Sequence, residues 1–217
     1  MSLKYLPLLL AEGILGTAMS QNRQNDRQNN GPAETTDPRI RRSRHMLIEA
    51  LGKLLTQKSF DDISIQEIAA VATLNRATFY LHYPDKNALL QAMTAERFGE
   101  LIERRGLSFT DCDAALRAIV LGVCDYLADT AGCPGQFAKL PLEGSIIPVV
   151  KDMFRKGAAD HTMAPGVDPE LLATTAAWAI FGAARSWVQT PDRIPAEEMA
   201  RRIEAMVKPI FLSASVS

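Results

Sequence analysis

Arg76, Thr78, Tyr80 and His82 bring four hydrogen-bond-donating side chains into a stretch of seven residues, with apolar Leu74 and Phe79 beside them. Donors of this kind, carried on the outer face of a short helix, suit base edges and phosphates better than covalent chemistry. Little else in the chain points to catalysis. Its three histidines, His45, His82 and His161, are far apart, and Cys112, Cys124 and Cys133 lack metal-ligand spacing. No Walker loop, G-x-S-x-G turn, H-E-x-x-H helix or dinucleotide fingerprint occurs. The sequence therefore predicts a binding protein rather than an enzyme, with no metal and no cofactor. The odd, unpatterned cysteines fit a reduced, cytoplasmic setting.

The four donors need a short helix held in place by others, and the flanking residues supply one. Asp37-Pro38 is a helix start, followed at helical spacing by Leu47, Leu51, Leu54 and Leu55 up to about Lys58. Ser64 and Glu67 form a capping box, with Ile63 and Ile68 as its hydrophobic staple. That second helix runs to about Val71, and Ala72-Thr73-Leu74 turns the chain. Asn75 caps the third helix, Pro84 stops it, and Asp85 caps a long fourth from Lys86 to about Arg105. Two short helices across a three-residue turn make a helix-turn-helix. Capping boxes are common, and spacing alone fits a plain helical hairpin equally well. The content of the third helix favours a recognition helix: apolar inside, polar outside, presented N-terminus first.

Three runs now make the segment familiar: Ile65-Gln66-Glu67-Ile68-Ala69-Ala70-Val71-Ala72, Asn75-Arg76-Ala77-Thr78-Phe79-Tyr80-Leu81-His82-Tyr83, and Lys86-Asn87-Ala88-Leu89-Leu90. Over residues 37–93 the chain resembles the TetR/AcrR family of bacterial regulators. Two positions depart from the family pattern. Thr73 stands where Gly is usual, so the turn is expected to take a different shape, because a β-branched residue is strained in a left-handed conformation. Tyr83 stands where Phe is common. The resemblance implies that Arg76 reaches guanine O6 and N7, and that Ala77 admits the backbone and meets a thymine methyl. It implies phosphate or base contacts from Thr78, Tyr80 and His82, and a phosphate held by Lys86 and the first amides of the fourth helix. Asn75 belongs to the same surface as the cap of that helix. Ser64 adds a backbone contact, and Arg41 and Arg42 belong to a basic arm. Phe79 and Tyr83 read as core.

The composition agrees with helices that bury a core: 47% of residues are apolar and only 6% aromatic. Residues 37–86 hold eight Lys/Arg against six Asp/Glu, whereas residues 87–217 hold 13 against 16. The positive excess thus sits with the helix-turn-helix, where Arg39, Arg41, Arg42 and Arg44 cluster, although such a run also suits an ordinary solvated helix end. Residues 1–36 read as a largely disordered extension, with a polar Gln/Asn/Arg tract from Gln21 to Asn30 that cannot bury a core and Met19 as an alternative start. Glu12 interrupts the apolar run near the N-terminus too early for a signal or a membrane anchor.

The expected architecture is all-α: an extension (1–36), a three-helix DNA-binding domain (37–83) and a helical regulatory and dimerisation domain (84–213). In the last of these, a fifth helix is capped by Thr110 or Asp111, and a loop spans Gly132 to Gly135. One or two short helices follow between Leu142 and Ala159, and two strong ones start at Asp168-Pro169 and Pro195. The expected ligand pocket is lined by Phe98, Leu101, Ile102, Leu116, Ile119, Val123, Tyr126, Trp178 and Phe181, with Arg185 for an acidic group. The segment Leu171 to Val188 is apolar nearly all round and must be covered all round. The expected homodimer interface uses Ala179, Gly182, Ala183, Ile203, Met206 and Ile210 of the last two helices. The partners expected are double-stranded DNA, a second copy and a small-molecule effector, with no membrane. The function expected is repression from a pseudo-palindromic operator. The rival is a helical small-molecule-binding protein or enzyme that has lost DNA binding, with Thr73 as its best support.

Overall fold

The computed structural model describes residues 37–107, 111–132, 140–158 and 166–212, and within them every regular element is a helix. The eight are α1 (Pro38–Leu55), α2 (Ile65–Val71), α3 (Arg76–His82), α4 (Lys86–Arg104), α5 (Cys112–Gly132), α6 (Leu142–Ala158), α7 (Pro169–Val188) and α8 (Ala196–Leu212). The N-terminal extension, most of the Gly132–Gly135 loop and Thr110 lie outside the described residues.

The helix starts follow local side-chain chemistry. The carboxylates of Asp37, Asp85, Asp111 and Asp168 accept the amides of Arg39, Ala88, Ala114 and Glu170 at 2.8–2.9 Å. Each satisfies an orphan donor of a first turn. At α2 the capping box is complete: Ser64 Oγ accepts the Glu67 amide at 3.2 Å, and Glu67 Oε2 accepts the Ser64 amide at 2.9 Å. Of the one or two helices expected after Leu142, the structure forms one, 17 residues long, with Pro148 in its interior.

The buried side chains form two cores. The first joins Leu47, Leu51, Leu55, Phe60, Ile63, Ile68, Phe79 and Tyr83 of the N-terminal head with Leu89, Leu90 and Ala92 of α4. The second joins Phe98, Leu101 and Ile102 of α4 with α5, α6, α7 and α8. Leu142 packs against both. Thus α4 runs out of the head and into the body, contributing a side-chain face to each.

Charged groups fasten α4 at both ends. The Lys86 ammonium donates to the carbonyl oxygens of Phe60 (2.9 Å), Asp61 (3.0 Å) and Ile63 (3.2 Å), above the Phe60 ring. It pins the start of α4 to the loop between α1 and α2. At the far end the Arg105 guanidinium grips both carboxylate oxygens of Asp125 on α5, one of them at 2.7 Å, and also reaches Glu197 at the start of α8. The hydrogen bonds to Asp125 push the Arg105 pKa up, so the grip stays charged at any ordinary pH.

Candidate nucleic-acid interface

The turn between α2 and α3 keeps its shape despite Thr73. Its φ is 55°, and the Thr73 amide donates to Ala70 O at 3.0 Å while the Leu74 amide donates to Ala69 O at 2.9 Å. This pair of bonds is a Schellman motif, the closure a glycine would ordinarily make. The expectation of a differently shaped turn is therefore corrected. The backbone bonds outweigh the steric cost of a β-branched residue there, about 1–2 kcal/mol. Thr73 gives no support to a broken motif.

Across this turn Ile68 and Phe79, both fully buried, fix α3 against α2. Asn75 caps α3 by accepting the Ala77 amide at 2.9 Å. With about 100° of rotation per residue, the seven residues of α3 fall into rows one turn apart. Phe79 and Tyr83 are buried in the head. Arg76 and Tyr80 flank them on one side, both exposed, and Arg76 Nη2 donates to the Tyr80 hydroxyl at 3.2 Å. Thr78 and His82 flank them on the other side, both half-buried. Ala77 and Leu81, both exposed, occupy the row that faces away from the core.

Supporting contacts hold this face in place. Arg44 of α1 lies over the Tyr83 ring at 5.4 Å, and its Nε donates to the Tyr83 hydroxyl at 3.4 Å. Burial, with the Arg44 charge behind it, lowers the His82 pKa from its usual 6.5 and favours the neutral ring. Lys58 and the Ser64 cap hold the Glu67 carboxyl at about 2.

The side chains proposed for DNA contact divide into free and occupied groups. Arg41, Arg42, Arg76, Ala77 and Tyr80 are exposed. The Ser64 and Asn75 side chains point outward but serve their caps. Lys86 is occupied in this structure: its ammonium donates to three carbonyl oxygens of its own chain and so positions the α1–α2 loop. Leu81, absent from the sequence-based site, is 76% exposed. Its i+4 spacing from Ala77 was the available signal.

Eight of the ten expected pocket residues, Phe98, Leu101, Ile102, Leu116, Ile119, Val123, Tyr126 and Phe181, share the second core. The other two are corrected. Trp178 is 51% exposed on the outer face of α7, edge-on to Phe181. Arg185 lies at the surface, paired with Glu143 at 3.1 Å. The inner face of α7 is already filled by Leu172, Ala176, Ile180, Phe181, Ala184 and Trp187, which turns residue 178 outward. Of the expected interface residues, Ala179, Gly182 and Met206 are exposed, and Ala183 and Ile210 half-buried. Ile203 is corrected: it is 0% exposed, a core residue of its own subunit. Leu171 and Trp178, seven residues apart on α7, are exposed apolar side chains outside that set.

The fold and this exposed, capped third helix define a helix-turn-helix protein. Residues 47–93 match the family of bacterial regulatory proteins called tetR. YxbF of Bacillus subtilis, an HTH-type transcriptional regulator, is 27% identical over 143 residues, covering 65% of this chain and 36% of that relative. EthR of Mycolicibacterium smegmatis, also an HTH-type transcriptional regulator, is 26% identical over 196 residues, covering 84% of this chain and 82% of that relative. A TetR transcriptional regulator from Streptococcus agalactiae is similar in structure, with a TM-score of 0.43 at 17% identity over 79% of this chain and 96% of that one. The chain spans about a third of the length of the Bacillus subtilis relative. Its helix-turn-helix segment is thus similar to that of the TetR family of bacterial regulators. No described helix is long and apolar enough to cross a membrane.

Proposed function

We propose that the protein is a transcriptional repressor that binds a pseudo-palindromic operator as a homodimer and releases it when a small molecule binds the body. The observation that carries this reading is α3 itself. It is capped at Asn75, held from behind by Phe79 and Tyr83, and presents Arg76, Ala77 and Tyr80 outward, exposed among the described residues. Exposed Arg39, Arg41 and Arg42 at the start of α1 supply positive charge for the phosphate backbone. The dimer is supported by apolar Leu171, Trp178 and Met206 standing out of α7 and α8, two helices that pack on each other. An apolar or amphipathic effector would act through α4, the element shared by both cores. A polar pair inside the body, Thr94 on α4 and Tyr126 on α5 at 3.1 Å, offers such a molecule a hydrogen-bonding partner.

Gel-shift assays against the intergenic DNA upstream of the gene test the reading. A discrete complex that survives competition by random duplex is expected. Arg76→Ala should weaken the cognate complex by about 1–3 kcal/mol and the random one little. Equal loss on both sequences would remove Arg76 as a base reader. No discrete complex would favour a chain that binds small molecules alone.

A further inference from the structure

The outermost row of α3 is apolar. Ala77 and Leu81 lie one turn apart on the side opposite Phe79 and Tyr83, between the Arg76–Tyr80 and Thr78–His82 rows. Leu81 keeps 76% of its surface in water, more than any other large apolar side chain among the described residues. A leucine at the centre of a face meant only for polar contact would strip water from acceptors and return nothing. It fits a surface that offers one apolar group among hydrogen-bonding ones.

Resting on the DNA reading above, we infer that Leu81 reads the C5-methyl group of a thymine in the operator. In the major groove that methyl is the one apolar feature that distinguishes a base pair, and the polar atoms beside it are within the scope of the flanking rows. Exposed Arg39, Arg41, Arg42 and Arg76 give the same head the charge to sit against phosphates bordering the groove. Ala77 lets the helix backbone come close. Leu81, about 6 Å further along the axis, extends apolar contact beyond the base pair that Ala77 meets. The inference concerns one side chain and one methyl group, so it predicts specificity at a single position of each half-site.

The test uses the full-length protein and an operator selected from random duplex DNA. Each thymine is replaced singly by deoxyuridine, which removes the methyl and keeps every hydrogen bond. At one position the replacement should weaken wild-type binding about fourfold, the worth of one buried methyl group. Leu81→Ala should bind the two duplexes equally, with an unchanged melting temperature because the side chain is exposed, and Leu81→Met should restore the preference. The inference is overturned if Leu81→Ala keeps the thymine preference of the wild type, or if no uridine replacement matters. The latter result leaves Leu81 to a protein contact. Failure to select any sequence would instead overturn the DNA reading, and this inference with it.

Discussion

Gly122 of α5 faces the ring of Phe98 on α4 so closely that a methyl group built on it would lie 2.6 Å from Cζ. Phe98 is 1% exposed and boxed in by the second core, so its ring has little room to retreat. The glycine therefore sets how near α4 approaches α5. Gly122→Ala should lower stability by about 1–3 kcal/mol through overpacking. Under the proposed mechanism it should also reduce operator affinity, because α4 must tilt. Thermal melts and gel shifts on one preparation measure both; a melt equal to wild type would refute the tight approach.

Lys86→Ala should cost stability rather than salt-dependent affinity. Its ammonium donates to three partly buried or exposed carbonyl oxygens of the Phe60–Ile63 loop, so a loss of about 0.5–1.5 kcal/mol is expected. The slope of log K against log salt should stay as in wild type. A slope flatter by about one would instead return Lys86 to the phosphate backbone.

Thr73→Gly should stabilise the head. A glycine at a φ of 55° escapes the left-handed penalty and keeps the Schellman bonds, while giving back part of the gain as chain entropy. A net gain of about 0.5–1.5 kcal/mol in denaturant titration is expected. Destabilisation would mean that the Thr73 hydroxyl, which donates to Ala72 O at 2.7 Å, matters more than the strain.

Trp178→Glu and Met206→Glu should each yield folded monomers. Both side chains are more than half exposed in one subunit, so neither change disturbs the fold, yet a charge buried between copies costs several kcal/mol. Sedimentation velocity would reveal it. Dimers persisting in both variants would place the contact elsewhere.

Acid should weaken the head in two stages. His82 has a pKa below its usual 6.5, so its contribution is intact above 6.5 and fades as pH falls below it. Glu67, lowered to about 2 by Lys58 and the cap, contributes fully above 4.5 and is lost on descent toward 2. Glu96 works the other way: burial raises its pKa, so protonation favours the folded state. Stability measured against pH should fall less steeply between 4.5 and 2 in Glu67→Gln. His82→Asn should remove the decline that begins near 6.5. Parallel curves for wild type and variants would refute both assignments.

The caps at Asp37, Ser64, Asn75, Asp85 and Asp168 were legible in the sequence because capping is settled within three residues of the helix start. The face of α3 was legible for a related reason: one buried row fixes the phase of a short helix. On α7 the phase was hidden. A helix apolar nearly all round does not say whether Trp178 or Phe181 turns inward, and only the packing of α5, α6 and α8 decides. Ile203 and Met206 look alike in sequence, yet one is fully buried and the other 61% exposed. The carbonyl partners of Lys86 were not legible because they lie 23 to 26 residues away, beyond the reach of a local pattern.

The two cores strung along α4 also bear on how the molecule comes apart. Leu89, Leu90 and Ala92 belong to the head and Phe98, Leu101 and Ile102 to the body, so one continuous helix is shared by two cooperative units. Amide hydrogen exchange should then report two opening free energies within α4, with the change falling between Ala92 and Phe98. Thr94, buried there and bonded to Tyr126 of the body, ties that stretch of α4 to the body. The head, with the smaller core, should then be the unit that opens first, while the body remains folded.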